Sequence, residues 1–197
     1  VPPGEIALAL GEADAPGANL GKGFGAMVAS AIMKRAGAHG ASPDTLVLLR
    51  DGDGDGKAEQ KFTLLADKNL ASPSGLAWAD NRLYVANHDA VIVFDYKLGE
   101  TALTGDPRKV MDLPAAGNHW MRNILLSPDA NHLFVAVGSS SNIGENGMDK
   151  EVGRAAIWEK DLTKDGNARQ YAQGLRNPNG LDWNPASGEL WVVVNER

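Results

Sequence analysis

The chain has no cysteine, which excludes thiolate zinc sites, iron–sulfur clusters and a disulfide framework. It also lacks any run of about 18 apolar residues, so no helical membrane span is expected. The longest apolar stretches, "LFVAV" (133–137) and "LWVVV" (190–194), have the length of strands. Positive charge is in the minority: 19 Lys and Arg face 25 Asp and Glu, a net charge of −6. That balance argues against nucleic acid or an anionic membrane as the main partner. An initiator methionine is missing as well. The chain starts at Val1, which reads as processing or truncation, with removal of a signal peptide as one route. What remains is 197 residues, enough for one large domain with a sizeable core.

Three segments of the chain look alike. They are "SGLAWADNRLYVAN" (74–87), "RNILLSPDANHLFVAVG" (122–138) and "NGLDWNPASGELWVVVN" (179–195). Each holds a short apolar strand, a polar turn and a second strand. Leu76, Ile124 and Leu181 take equivalent places, a period of roughly 50 residues, which is the size of a propeller blade. Further strands follow the first two copies: "AVIVFDY" and "RKVMDL" after the first, "AAIWEKD" and "ARQYAQGL" after the second. "TLVLLRD" and "QKFTLL" read as the outer strands of an earlier blade. The expected fold is therefore an all-β propeller of four-stranded antiparallel blades, filling residues 45–197. The rival architecture is a β-sandwich whose hairpins resemble one another by accident.

Residues 1–44 break the pattern. "VPPGEIALAL" reads as an extended lead-in strand. Phe24, Met27, Val28, Ala31 and Ile32 fall at helical spacing and predict a short amphipathic helix. The glycines of "GANLGKGFG" do not make a phosphate loop, because Lys22 is followed by Gly23 and no strand feeds the loop. Parts of about four blades are legible, so the ring is expected to be incomplete, closed by a missing segment or a second chain.

In a propeller, the loops leading into each innermost strand converge on one mouth of the central channel. Those loops read "LASPSG" (70–75), "AAGNHWMRN" (115–123) and "QGLRNPNG" (173–180). His119 and Arg176 hold the same position relative to Ile124 and Leu181, with Asn118 and Asn177 beside them. One His, one Arg and two amides brought together suit an anionic, oxygen-rich ligand. The plainer alternatives are a loop histidine without chemistry, an arginine bridging loops, and an Asn177 that only satisfies backbone groups before Pro178. His39, His88 and His132 read as surface or turn residues. Trp120 reads as packing or as a stacking platform, and Trp78, Trp183 and Trp191 as core. Arg122 is left open between the cavity and an aspartate partner. The polar excursion "GSSSNIGENGMDKEVGRA" (138–155) reads as a solvent loop bordering the mouth.

"GNHWMR" with "SPDANHLFVAVG", and "GLRNPNGLDWNPASGELWVVVNER", resemble the pyrroloquinoline quinone (PQQ)-dependent sorbosone and aldose dehydrogenases, six-bladed propellers related to soluble glucose dehydrogenase. "VPPG", "IMKRAGA" and "LLRDGDGDGKAE" look like the sorbosone-type branch. The resemblance implies oxidation of a sugar or sugar aldehyde, with PQQ and calcium as cofactors and an external electron acceptor. His119 would be the general base and Arg176 the cation beside the quinone oxygens. Asn177 would hold the cofactor, and Asn118 takes the polar position beside the base. It also implies a periplasmic or secreted location. The family's remaining cofactor ligands have no match within this chain, so little or no activity is expected of these 197 residues alone. Two rival functions stand beside it. A metal-dependent lactonase-type propeller would need acidic residues at inner strands, where Glu196 is the candidate. A non-catalytic binding propeller would need none.

The acidic run "DGDGDGKAE" (51–59) matches an EF-hand loop at Asp51, Asp53, Asp55, Gly56 and Glu59, but Phe62 stands where the closing Glu is required. With strands on both sides, it reads as a hairpin turn, with Asp51, Asp53 and Asp55 as candidate ligands of a structural calcium.

Overall fold

The computed structural model describes residues 5–10, 44–66, 68–115 and 117–196. The helix expected over 24–32 and His39 lie outside the described residues. Among the described residues thirteen strands are formed: β1 Glu5–Leu10, β2 Thr45–Arg50, β3 Gln60–Leu65, β4 Gly75–Ala79, β5 Arg82–Ala86, β6 Ala90–Asp95 and β7 Arg108–Asp112, then β8 Ile124–Leu126, β9 His132–Val137, β10 Ala156–Asp161, β11 Arg169–Gln173, β12 Pro178–Trp183 and β13 Leu190–Val194. Among the described residues there is no α-helix; a 3-10 turn at Met148–Glu151 is the one helical segment.

The strands make four antiparallel sheets, ordered β1-β2-β3, β4-β5-β6-β7, β8-β9-β10-β11 and β12-β13. Both complete repeats are four-stranded, as expected. The lead-in strand β1 belongs to the first sheet, pairing with β2 from Glu5↔Arg50 to Leu10↔Thr45. The repeat is also exact in register. Leu76 faces Val85, Ile124 faces Val135, and Leu181 faces Val192.

Burial explains why the inner strands are apolar on both faces. In the second sheet Leu83, Val85, Ile92 and Phe94 point one way, into a core shared with Leu46, Leu48 and Leu64 of the first sheet. Their sequence neighbours Tyr84, Ala86, Val91 and Val93 point the other way, onto Leu133, Val135 and Val137 of the third sheet. Phe134, Ala136 and Ile157 then pack against Leu181, Trp183 and Leu190 of the fourth. Successive side chains of a strand alternate between faces, so a sheet covered on both sides reads as an unbroken apolar run. "LFVAV" is buried throughout for that reason, with Leu133, Val135 and Val137 each at 0% exposure. The outer strands β7 and β11 keep their Arg, Lys and Gln in solvent.

Polar turns close the sheets at the end opposite the loops of interest. Asp80 and Asn81 both take positive φ, 51° and 57°, the geometry of a two-residue hairpin that follows the twist of its strands. Asp129 accepts hydrogen bonds from Ser127 Oγ and from the Asn131 side chain and backbone. The tryptophans divide. Trp78 packs on the first core and donates to Tyr96 O at 3.2 Å, and Trp183 donates to Leu126 O at 2.8 Å. Trp191 was expected in the core but is 62% exposed, because no strand among the described residues covers the outer side of β13.

Candidate active site

The loops before β4, β8 and β12 meet at one end of the stacked sheets. Ser74 Oγ accepts the Arg122 N–H at 2.7 Å, joining the first loop to the second across 48 residues. The inner strands can come this close because position 75 is glycine: a Cβ there would strike the Arg122 carbonyl. The second and third loops meet across Gly138, at the end of β9. A Cβ on Gly138 would lie 2.5 Å from His119 Cβ and 2.6 Å from Asn177 Oδ1. Only a residue without a side chain lets these two approach. The Ser139 N–H donates to Arg176 O at 2.8 Å, and the Asn118 N–H to Ser140 O at 2.8 Å. His119, Arg176 and Asn177 are therefore gathered around one segment, residues 138–142, while Asn118 joins it through its backbone and leaves its side chain exposed.

His119 is half-buried, and its Nδ1 lies 3.0 Å from Ser139 O and 2.9 Å from Ser139 Oγ. A carbonyl oxygen can only accept. The Ser139 hydroxyl gives its proton to Ser141 O at 2.6 Å, so it too presents a lone pair to the imidazole. Both partners require a proton on Nδ1. In the neutral ring the lone pair is then on Nε2, the form a general base needs.

The floor under His119 is Arg122, which is 0% exposed. Its guanidinium donates to His119 O at 2.8 Å, Met121 O at 3.0 Å and Pro114 O at 2.7 Å. Arg122 thus belongs neither to the cavity nor to an aspartate pair; it staples the loop that carries the histidine. Burial, and then the neighbouring Arg154, push its pKa down to about 10, with Asp89 opposing. Even so it remains charged at neutral pH. Arg154 bonds the same Pro114 carbonyl at 3.0 Å.

Arg176 is held on three sides. Nε donates to Asn142 O at 3.0 Å, Nη2 to Asn142 Oδ1 at 2.6 Å and Nη1 to Asn195 O at 3.1 Å. Two of its five donors are left over. Arg176 lines a cavity of about 410 Å³ together with Ser141, Asn142, Ile143, Met148, Glu151 and Glu196. Glu196 Oε1 accepts the Arg176 backbone N–H at 2.9 Å.

The aspartate loop lies elsewhere, between β2 and β3. Ligand atoms of Asp51, Asp53, Asp55 and Glu59 all fall within 4.8 Å of one another. Asp51 accepts Gly54 N–H at 2.6 Å and Gly56 N–H at 2.8 Å, and Glu59 accepts Gly52 N–H at 2.9 Å. The Gly56 bond is the main reason the Asp51 carboxyl stays below its ordinary pKa. His88 and His132 are away from the site. His88 bonds Ala71 O, and His132 opens β9 beside Glu159 and Asp161. Sequence reasoning missed Ser139, Asn142 and Glu151, filing them in a solvent loop. The glycine ending β9 was the available signal, since it marks a close approach.

A family model described as TrAA12-like matches residues 45–197. Nothing among curated proteins matches the chain. Among solved structures, the holo form of the PQQ domain of pyranose dehydrogenase from Coprinopsis cinerea aligns with a TM-score of 0.64 and 20% identity, covering 77% of this chain and 39% of that one. A calcium structure of a Trichoderma reesei family AA12 carbohydrate-active enzyme aligns with a TM-score of 0.62 and 24% identity, covering 79% and 44%. An iodide structure of a T. reesei family AA12 enzyme gives 0.63 and 21%, covering 98% and 49%. The chain thus spans less than half the length of these structures.

Proposed function

Because the chain belongs to the TrAA12-like family, we propose that it is part of a PQQ-dependent dehydrogenase that oxidises a sugar or sugar aldehyde. Its stacked sheets are, on this reading, consecutive blades of a propeller. The observation that carries the proposal is the meeting of His119 and Asn177 across Gly138, with Arg176 bound to the same segment. The residues fit the cofactor on two counts. The cavity beside Arg176, about 410 Å³, falls in the range of small-ligand sites. Its cation has donors to spare for quinone or carboxylate oxygens.

Each residue then has a task. His119 takes the proton of the sugar hydroxyl at Nε2, and the Nδ1 bonds to Ser139 keep the ring in the form that can do so. Arg176 holds an oxyanion at the cavity wall, while Asn177 stands beside His119 across Gly138, outside the lining of that cavity. When bound, PQQ supplies the acceptor for the hydride leaving the sugar carbon. A separate, structural calcium is proposed for the aspartate loop, where Asp51, Asp53 and Asp55, with Glu59 near them, offer the oxygen ligands a hard cation takes. The sorbosone-type or aldose-type preference and a location outside the cytoplasm belong to the same proposal.

The test is dye-coupled oxidation of a sugar panel by the full-length protein, with PQQ and calcium added. Turnover that requires PQQ and is lost in His119→Gln is the expected result. A protein that gives no absorbance change on titration with PQQ would sink the proposal.

A further inference from the structure

His119 and Arg176 belong to loops far apart in the chain, yet both are held by residues 139–142. Ser139 supplies the two acceptors for His119 Nδ1, and Asn142 supplies two of the three acceptors for the Arg176 guanidinium. That segment has no regular strand or helix to keep its shape. Two carboxylates hold it: Glu145 Oε1 accepts the Asn142 N–H at 3.2 Å, and Glu151 takes the stretch on the His119 side. Glu151 Oε2 accepts the Ser140 N–H at 2.7 Å, and Oε1 accepts the Ser141 N–H at 3.1 Å and the Ser141 Oγ–H at 2.7 Å. Ser141 in turn fixes Ser139, because its carbonyl takes the Ser139 hydroxyl proton. An unbroken hydrogen-bonded path therefore leads from Glu151 through Ser141 and Ser139 to the imidazole.

We propose that Glu151 is a positioning residue of this site, setting the orientation of His119 through residues 139–141. The inference rests on the dehydrogenase reading for its consequence, though not for its geometry. A carboxylate suits the task because it only accepts, and three donors converge on its two oxygens. Glutamine in its place keeps the size but turns one acceptor into an NH2 that faces an N–H. The bond that is lost opens the 140–141 turn and frees His119, while Asn142 keeps its bond to Glu145. Glu151 does not touch the reacting atoms, so its effect falls on turnover through misplacement, at about 10- to 100-fold.

The test compares Glu151→Gln with Asp149→Asn in the full-length protein. Asp149 is in the same 3-10 turn, with its side chain 72% exposed and paired with Lys150. Two readouts do not depend on activity: hydrogen exchange at the Ser140 and Ser141 amides, and the NMR signal of the His119 Nδ1–H. Glu151→Gln should speed exchange at both amides about tenfold or more and erase or broaden the ring signal, while Asp149→Asn changes neither. Kinetics should show kcat falling with KM little moved. Unchanged amides and an unchanged ring signal in Glu151→Gln, or a wild-type His119 that carries its proton on Nε2, overturn the inference. Should Glu151→Gln fail to fold, Ser141→Ala removes one of the three bonds, and the same two readouts decide. If the spectroscopic effects occur but no form of the protein turns over with PQQ, the dehydrogenase reading fails while the positioning role stands.

Discussion

In the aspartate loop the polar partners are close in sequence. Asp51 is answered by Gly54 and Gly56, Asp53 by Asp55, Asp55 by Lys57, and Glu59 by Gly52, separations of 2 to 7 residues. Around His119 and Arg176 the partners come from far away: 20 residues for His119, 34 and 19 for Arg176, and 48 between Ser74 and Arg122. A loop that satisfies itself can form wherever the chain turns, and it reports little about the rest of the molecule. A site that is satisfied from a distance exists only when the sheets have stacked. Damage to one of its parts therefore spreads to the others, whereas damage to the aspartate loop stays local.

The largest effect is expected at His119. His119→Gln should lower sugar oxidation by the full-length protein about 100- to 10,000-fold, with its thermal melting little changed, as steady-state kinetics and calorimetry would show. Next comes Arg122→Met. It leaves the carbonyls of His119 and Met121 without this donor and Pro114 O with Arg154 alone, and the loss should be about 2–4 kcal/mol in denaturant unfolding. A variant as stable as the wild type would mean that the staple is not needed. Gly138→Ala drives a methyl between His119 and Asn177. It should cost about 1–3 kcal/mol, and turnover should fall with it.

The smallest effects belong to the other region. Asp53→Ala should leave stability without calcium almost unchanged and weaken calcium binding in titration calorimetry; an unchanged isotherm removes the metal role. Low pH sharpens the contrast. The Asp51 carboxyl is held below its ordinary pKa of 3.8, chiefly by the Gly56 N–H, and Asp129 is held down to about 2, chiefly by the Ser127 hydroxyl. A depressed folded pKa stabilises above the ordinary value and is lost as pH falls through the folded one. Protection of the Gly54, Gly56 and Asn131 amides, relative to the intrinsic exchange rate at each pH, should therefore fall between about pH 4 and pH 2.

How much of this was legible before the fold was known differs by residue. The strands were, because apolar runs of five or six residues bounded by Asp, Asn, Pro and Gly have few alternatives. Pairing of Leu76, Ile124 and Leu181 with a valine apiece bears out the repeat read from their spacing. His119 and Arg176 were singled out by that same spacing. Trp191 was misjudged because a strand pattern does not tell whether a neighbour covers it. Arg122 was undecided, since nothing local reveals that its guanidinium turns inward to three carbonyls. Glu151 carried no signal at all, being ten residues from Ser141 in a run of polar residues.

Strand identity, the repeat and the aspartate turn were determined by the sequence itself, because they depend on side-chain alternation and on hydrogen bonds that close within a few residues. Which loops meet, which nitrogen of His119 bears the proton, and which carboxylate steadies the site were decided only by the tertiary structure. Those outcomes rest on donors and acceptors 10 to 48 residues apart, and nothing but the stacking of sheets brings such groups within bonding distance.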